Sequence, residues 1–184
     1  MNQTLIAKIL NVHVPILITG PSGTGKSKLA HKIFYRSHIN KEKFITLHLA
    51  SIKDELFESE LFGHRKGSFT GALENKNGYF KEVGTGTLFL DEIGELSLES
   101  QKKLLYLLEE KKFTPVGSTQ AFDFNGRLIL ATNKDLKSMV KNGTFREDLY
   151  YRLSIFQIEL LPIHQSKEKR LIEINRTFAK LKIQ

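Results

Sequence analysis

The residues with the clearest chemical potential form a glycine-rich stretch between an apolar run and a helical pattern. The pattern G-x-x-x-x-G-K-[ST] predicts a loop whose backbone N–H groups and following helix N-terminus hold phosphate. In such a loop the lysine reaches the β- and γ-phosphates and the last hydroxyl binds Mg²⁺. The alternative is an ordinary glycine-rich turn, but the position between strand and helix favours phosphate binding. The matching residues are Gly20, Pro21, Ser22, Gly23, Thr24, Gly25, Lys26 and Ser27.

Two acidic residues follow a second apolar run. Asp91 and Glu92 come directly after the strand-like residues 87–90. Beside a phosphate-binding loop, Asp91 would hold the water shell of Mg²⁺, and Glu92 would orient or deprotonate an attacking water. Acids after a strand are common in themselves, so this interpretation depends on the loop at residues 20–27. Together the two motifs indicate hydrolysis of a nucleoside triphosphate.

Asn133 stands at the end of a third apolar run, residues 128–132. Its neutral side-chain amide could contact the γ-phosphate or fix the attacking water. It could equally be a turn-forming asparagine before Lys134 and Asp135, since asparagine favours turns. The pattern leaves these two alternatives open.

Arg146 and Arg152 flank the residues 147–151. If this stretch is one helix, six residues rotate the chain by about 600°, so the two side chains point about 120° apart. They are then unsuited to holding the same oxygen atom. Composition alone favours surface ion pairs for both.

A glycine-rich segment with basic flanks occupies residues 62–72. Glycine, serine and exposed basic residues in such a stretch predict a surface loop rather than a core segment. Phe69 near its centre is either packed back onto the core or presented to a partner. From composition alone we expect it to be packed back.

The elements that must position these residues alternate between apolar runs and helical patterns. This alternation predicts an α/β fold with a largely parallel sheet, whose ligands bind at the carboxyl ends of the strands. Ser51 and Asp54 are placed as a capping pair for the second predicted helix. The predicted strands are residues 14–19, 44–49, 87–90, 127–132 and 155–160, and the predicted helices are 27–36, 51–62, 97–111 and 145–153.

Composition sets wider bounds. The 184 residues are 40% hydrophobic and 26% charged, as in ordinary globular domains, and contain no cysteine. Disulfides, thiolate nucleophiles and zinc–thiolate sites are therefore excluded. The absence of an apolar run of about 18 residues and of a secretory signal makes a cytoplasmic protein the expectation, with no membrane partner. Half of the net charge of +8 lies in residues 163–184, which carry six bases and two acids.

Together these segments resemble the central ATPase domain of sigma-54-dependent transcriptional activators, the bacterial enhancer-binding proteins of the AAA+ class. The resemblance covers residues 14–162. It is most specific in four segments, which read ESELFGH at 58–64, GSFTGA at 67–72, GTLFLDEIGEL at 86–96 and FREDLYYRL at 145–153.

The resemblance implies a P-loop NTPase of the AAA+ type, a three-layer sandwich around a mostly parallel five-stranded sheet. It further implies that Mg²⁺ and ATP bind, that Arg146 and Arg152 reach a neighbouring subunit's nucleotide, and that the chain forms a ring, usually a hexamer. Hydrolysis would remodel the closed sigma-54–RNA polymerase complex. The loop matching the family's GAFTGA segment would contact the sigma-54 factor through Gly67, Ser68, Phe69, Thr70, Gly71 and Ala72.

Four positions depart from the family pattern. Ser68 replaces an alanine, Arg65 replaces an acid, and Ser27 stands where glutamate is common. His48 stands where an asparagine usually holds the glutamate that here is Glu92. A histidine can still bond a carboxylate, but we expect the coupling to become sensitive to pH near its titration range.

The resemblance divides the chain into an ATPase core at residues 1–162 and a basic helical tail at 163–184. The family's helical lid is expected to be largely absent, with at most one lid helix near residues 166–181. Neither a receiver domain nor a helix-turn-helix is recognisable, so no direct DNA-binding domain is expected. Two other hypotheses remain: a module that binds nucleotide or sigma factor without turnover, and a nucleic-acid binder acting through the basic tail.

Overall fold

The computed structural model describes residues 14–38, 42–53 and 56–161. Within them the strands of the main sheet are separated by helices, and two short strand pairs lie between these elements. In chain order they are β1 (Ile16–Thr19), α1 (Lys26–Arg36), β2 (Phe44–His48), α2 (Phe57–Phe62), β3 (Gly63–His64), β4 (Lys76–Asn77), α3 (Tyr79–Glu82), β5 (Thr87–Asp91), α4 (Leu98–Glu110), β6 (Lys112–Phe113), β7 (Phe122–Asp123), β8 (Arg127–Thr132), α5 (Leu136–Lys141), α6 (Glu147–Leu153) and β9 (Gln157–Glu159).

The main sheet has five strands in the order β2-β5-β8-β1-β9, and every neighbouring pair is parallel. The parallel arrangement brings the carboxyl ends of all five strands to one edge. At that edge His48 pairs in register with Asp91, and Thr19 pairs with both Thr132 and Glu159. The predicted α/β class and five-stranded parallel sheet are confirmed, and the polar residues that follow the strands share this edge.

Helices cover both faces of the sheet, because alternate residues of each strand point to opposite sides. On one side Ile16, Ile18 and Ile129 pack with α1 in a core that includes Leu29 and Ile33. On the other side the intervening residues of the strands pack with α2, α4 and α6 in a second, larger core. Burial on both faces explains why the strands read as continuous apolar runs. The expected three-layer arrangement is therefore confirmed.

The second predicted helix is wrong in its first half. Residues Leu49–Ser51 form a short 3-10 turn, Ile52 is extended, and α2 begins only at Phe57. Ser51 does not cap a helix, because its hydroxyl donates to the carbonyl of His48 at 2.7 Å. Asp54, its predicted capping partner, lies outside the described residues. The extended backbone at Ile52 separates the two helical pieces that the apolar spacing joined.

The last predicted strand is also shorter than expected. Residues Ser154–Phe156 form a 3-10 turn, and β9 covers only Gln157–Glu159. This short strand lies at the edge of the sheet beside β1.

Two small antiparallel ribbons project from the core beside each other. The ribbon of β3 and β4 carries the GAFTGA-like loop, and that of β6 and β7 carries residues 114–121. Arg65 N donates to the carbonyl of Val116 at 3.0 Å, and Val116 N donates to that of Gly63 at 2.9 Å. The two ribbons therefore support each other at their bases.

Every helix among the described residues falls short of the length and apolar character that a membrane-spanning segment needs. The predicted basic tail and the possible lid helix lie outside the described residues. The boundary placed after residue 162 stays a prediction.

Candidate active site

The loop at residues 20–27 joins β1 to α1 in a backbone path that needs glycine. Gly23 and Gly25 have φ angles of 76° and 94°, in the left-handed region that glycine favours. Gly20 is confined by space as well, because a Cβ atom there would lie 2.3 Å from the carbonyl oxygen of Leu160. Thr24 closes the turn by donating from its hydroxyl to the carbonyl of Pro21 at 2.8 Å.

Lys26 is the first residue of α1, and its side chain lies back along the loop. It is only 7% exposed, and its Nζ donates to the carbonyl of Gly20 at 3.0 Å and to that of Pro21 at 3.4 Å. The first turn of α1 contains no acidic residue, and no side chain caps it. The ammonium and the positive end of the helix dipole therefore act in the same place, which suits an anion.

Asp91 ends β5 and is mostly buried. Its Oδ1 accepts from the backbone N–H of Glu92 at 3.1 Å, and its Oδ2 lies 3.2 Å from Nδ1 of His48. The expectation that His48 holds Glu92 is therefore wrong for this structure. The parallel register of β2 and β5 places His48 directly beside Asp91, whereas Glu92 lies one residue beyond the strand.

Glu92 occupies a left-handed backbone conformation, with φ 61° and ψ 53°. Its Oε2 accepts from the backbone N–H of Asn133 at 2.9 Å and lies 3.5 Å from the hydroxyl of Thr132. Its Oε1 is 3.7 Å from Nζ of Lys26. The structure thus brings three predicted site residues, Lys26, Glu92 and Asn133, to one point at the sheet edge.

Two details of this cluster differ from the sequence analysis. Asn133 engages Glu92 through its backbone N–H, whereas its predicted role used the side-chain amide. Thr132, which is fully buried, was missed. The only available signal for Thr132 was its place at the end of β8, immediately before Asn133.

The oxygen donors near the loop fit a magnesium ion that is shared with a phosphate. Mg²⁺ usually takes one or two protein ligands and completes its shell with water and phosphate oxygens. Asp91 offers a carboxylate, and the half-buried Ser27 offers a hydroxyl from the first turn of α1. Among residues 14–38, 42–53 and 56–161, no group of three His, Cys, Asp or Glu side chains forms a metal cage.

A cavity of about 370 Å³ adjoins the loop at the carboxyl edge of the sheet. Its walls include Gly20 and Pro21 of the loop, Asn133, and Tyr150 of α6. Gln157 lines it as well and donates to the hydroxyl of Thr19 at 3.1 Å. Cavities of this size accommodate small ligands.

The recorded hydrogen bonds of the Arg146 and Arg152 side chains are to Asp148 and Leu108, which are not members of this cluster. Arg146 precedes the first turn of α6 in an extended conformation, so the helical rotation assumed from sequence does not apply to it. Its Nε and Nη2 donate to the two carboxylate oxygens of Asp148 at 3.0 and 2.6 Å. The hydrogen bonds and charge of this pair raise the pKa of Arg146 and lower the pKa of Asp148.

Arg152 lies at the opposite end of α6. Its Nη2 donates to the carbonyl of Leu108 at 3.4 Å, near the negative end of the α4 dipole. Lys111 is close by: burial, and then repulsion from Arg152, lower the pKa of the Lys111 ammonium.

The GAFTGA-like loop, residues 67–72, is closed by its own backbone. Gly67 N donates to the carbonyl of Ala72 at 2.8 Å, and Ala72 N donates to that of Phe69 at 3.0 Å. The Phe69 ring is 37% exposed and meets the ring of His64 edge-on at 4.9 Å. The Phe69 ring is therefore neither buried in the core nor fully exposed to solvent. The Ser68 hydroxyl is buried and has no hydrogen-bond partner among the described residues.

Comparison with known proteins places these features in a family. The family model described as "Sigma-54 interaction domain" matches residues 2–159. The chain is 48% identical over 162 residues to the regulatory protein AtoC of Escherichia coli (strain K12), covering 88% of this chain and 35% of that protein. It is 46% identical over 161 residues to the nitrogen fixation protein VnfA of Azotobacter vinelandii, covering 88% of this chain and 31% of that protein.

Solved structures with a similar fold come from the same kinds of protein as the sequence relatives. The structure of NtrX from Brucella abortus in complex with ADP matches with a TM-score of 0.79 and 32% identity over 95% of this chain and 38% of that one. The P-loop NTPase domain of a sigma-54 activator from E. coli matches with a TM-score of 0.54 at 19% identity, over 86% of this chain and 91% of that one, which bears on the fold alone. The chain spans about a third of the length of the curated relatives it matches.

Proposed function

The chain belongs to the sigma-54 interaction domains, the AAA+ P-loop domains of sigma-54-dependent transcriptional activators, and on this premise we propose that it binds and hydrolyses ATP to drive transcription activation. The observation that carries the proposal is the meeting of Lys26 with Glu92 and the backbone of Asn133 beside the phosphate-binding loop. NtrX of this family has been solved in complex with ADP and with ATP, which supports the choice of an adenine nucleotide.

Each residue of the cluster has a role that its position supports. The N–H groups of the loop and the ammonium of Lys26 would bind the phosphates. Glu92, held at its two oxygens by Lys26 and Asn133 N, would orient the attacking water and accept its proton. Asp91 and Ser27 would hold Mg²⁺, which when bound neutralises charge on the phosphate oxygens.

Completion of the site by a neighbouring subunit is part of the proposal. In their own chain Arg146 and Arg152 contact Asp148 and Leu108, and their recorded contacts do not include Lys26 or Glu92. We therefore assign them to the nucleotide of an adjacent protomer, where a guanidinium would stabilise charge in the transition state. This requires a homo-oligomeric ring, for which a hexamer is the family expectation.

The partner-contacting part of the proposal rests on the loop at residues 67–72. Its tip exposes Phe69 in part, Thr70 is exposed, and the adjoining Leu73 is 79% exposed. We propose that this loop contacts the sigma-54 factor and that ATP turnover remodels the closed RNA polymerase complex. Such an activity would take place in the cytoplasm.

The test is phosphate release from ATP with Mg²⁺ as a function of protein concentration. We expect the rate per chain to rise with concentration, because each site needs an arginine from a neighbour, and Lys26→Ala to abolish it. Lys28→Ala, which changes an exposed lysine on the same helix, is the matched control and should keep the wild-type rate. A rate per chain that is independent of concentration would reject the shared site.

One observation favours a second candidate, a module that binds nucleotide without turnover. His48 lies against Asp91, the carboxylate assigned to the metal, and not against Glu92 as the family pattern implies. Nucleotide binding by calorimetry with no phosphate release at any protein concentration would support this candidate over hydrolysis.

A further inference from the structure

Gln101 is a fully buried polar side chain in the first turn of α4. Its exposed fraction is 0%, so its amide group is cut off from water. A buried amide is costly unless its donors and acceptor are paired within the protein. Its partners therefore show what this residue holds in place.

All three partners of Gln101 are backbone groups from two separate segments. Its Nε2 donates to the carbonyl of Leu96 at 2.8 Å and to that of Thr144 at 3.1 Å. Its Oε1 accepts from the backbone N–H of Arg146 at 2.8 Å. Because Arg146 N can only donate, the network fixes which end of the amide is oxygen.

The first segment is the turn that follows Glu92. Residues Ile93–Glu95 form a 3-10 turn in which Glu95 N donates to the carbonyl of Glu92 at 2.9 Å and Leu96 N donates to that of Ile93 at 3.3 Å. Leu96 is thus joined to Glu92 through a closed turn. Glu92 is itself held by the backbone N–H of Asn133 at 2.9 Å, so this segment is a fixed support.

The second segment leads into α6 and carries Arg146. Phe145 is buried in the larger core, and Gln101 binds the backbone on both sides of it, at Thr144 and Arg146. The backbone of Arg146 is therefore held by the core and by Gln101, while its guanidinium extends to Asp148 at the surface.

We propose that Gln101 is a positioning residue, which fixes the backbone of Arg146 to the turn that follows Glu92. The active-site turn of one protomer thereby aligns the arginine that this protomer supplies to its neighbour. This inference rests on the proposed shared site. It adds a buried residue that touches neither nucleotide nor neighbour and acts only through Arg146.

Mixed oligomers separate the lending chain from the receiving chain. Lys26→Ala chains still lend Arg146 but cannot use ATP, and Arg146→Ala chains keep the phosphate loop but lend no arginine. Each variant alone should be inactive. A mixture should release phosphate at sites where a Lys26→Ala chain supplies Arg146 to the nucleotide that an Arg146→Ala chain binds. Gln101→Met, which keeps the length of the side chain and removes its hydrogen bonds, is then added to one chain or the other.

We expect Gln101→Met to lower phosphate release about tenfold or more when it is in the lending chain and less than about twofold when it is in the receiving chain, since small misplacements of a catalytic group cost large factors in rate. Ser100→Ala, a neighbouring buried residue of the same helix turn, should have little effect in either chain. Equal losses in both chains, or no loss in the lending chain, would overturn the proposal.

Hydrogen exchange tests the same link without turnover. In the wild-type chain the Arg146 amide should exchange slowly although it precedes a short surface helix, and Gln101→Met should accelerate it. Fast exchange of this amide in the wild type would overturn the inference, even if the variant does not fold. If the mixture of Lys26→Ala and Arg146→Ala chains is inactive while the wild-type Arg146 amide exchanges slowly, the result counts against the shared site. The link between Gln101 and Arg146 then stands.

Discussion

In the proposed mechanism, Glu92 is the residue on which hydrolysis depends most directly. If it accepts a proton from water, Glu92→Gln should keep nucleotide binding and lower the rate of phosphate release by roughly 10²–10⁴-fold, the usual contribution of a general base. The measurement is single-turnover phosphate release, with the affinity for the nucleotide taken from calorimetry.

Glu95→Gln is the matched control for this substitution. It makes the same chemical change three residues later, in a carboxylate that pairs with Lys134 at 2.8 Å. We expect it to hydrolyse ATP at close to the wild-type rate. If Glu92→Gln did so too, Glu92 would not be the base.

At this scale the sequence predicts residues that belong to local motifs and misses those that act across the fold. Lys26, Asp91 and Glu92 are recognisable because the loop and the end of a strand are contiguous in sequence. The contact of His48 depends on the register of β2 against β5, which a family pattern alone does not supply. Gln101 escapes prediction because its three partners are backbone groups, and two of them are more than 40 residues away.

Helix α4 carries Gln101 and is capped differently at its two ends. At its start the hydroxyl of Ser97 accepts from the backbone N–H of Ser100 at 3.2 Å, an ordinary N-cap. At its end Lys111 adopts a left-handed conformation with φ 55°, which glycine favours. The predicted helix at residues 97–111 was nearly correct because these two residues are its caps.

Lys111→Gly should therefore stabilise the protein by about 0.5–1 kcal/mol, since relief of the left-handed strain exceeds the added entropy of the unfolded chain. It would also remove an ammonium whose pKa burial and Arg152 lower. Urea unfolding measures the change. Lys112→Gly, in the extended strand β6, is the matched control and should destabilise; a loss of stability in Lys111→Gly as well would contradict the argument.

Across the whole molecule, the sheet and its two covering layers were predictable because burial on both faces makes each central strand a continuous apolar run. The segment between β2 and α2 was not, because apolar spacing alone does not show where the backbone becomes extended. The contact between the two ribbons was not predicted either. It includes backbone hydrogen bonds such as that of Arg65 N with Val116, which leave no side-chain pattern. A side-chain bond adds to it, from Arg65 Nη2 to Oε1 of Gln120 at 3.2 Å, between residues 55 positions apart.

Two exposed aspartates contribute to the response of the fold to acid. Hydrogen bonds from Ser138 lower the pKa of Asp135 from its ordinary value of 3.8, and Arg146 does the same for Asp148. Because the unfolded chain binds protons more readily at these sites, their stabilisation is complete above about pH 5 and is lost as the pH falls through the lowered values. Thermal unfolding should show a fall in Tm across this range.

The double variant Asp135→Asn, Asp148→Asn should lose less stability than the wild type between pH 5 and about pH 3, because it lacks the two groups that must take up protons. Asp123→Asn, a change of another exposed aspartate, is the matched control and should follow the wild type. Parallel curves for the double variant and the wild type would show that other groups govern acid unfolding.

The left-handed backbone of Glu92 lowers the stability of the protein at a position where the proposed function needs a carboxylate. A non-glycine residue with φ 61° costs about 1–2 kcal/mol of folding free energy, so thermal stability alone would favour glycine over glutamate at this position. If Glu92 is the proposed base, a glycine here would relieve the backbone and would at the same time remove the carboxylate that turnover requires.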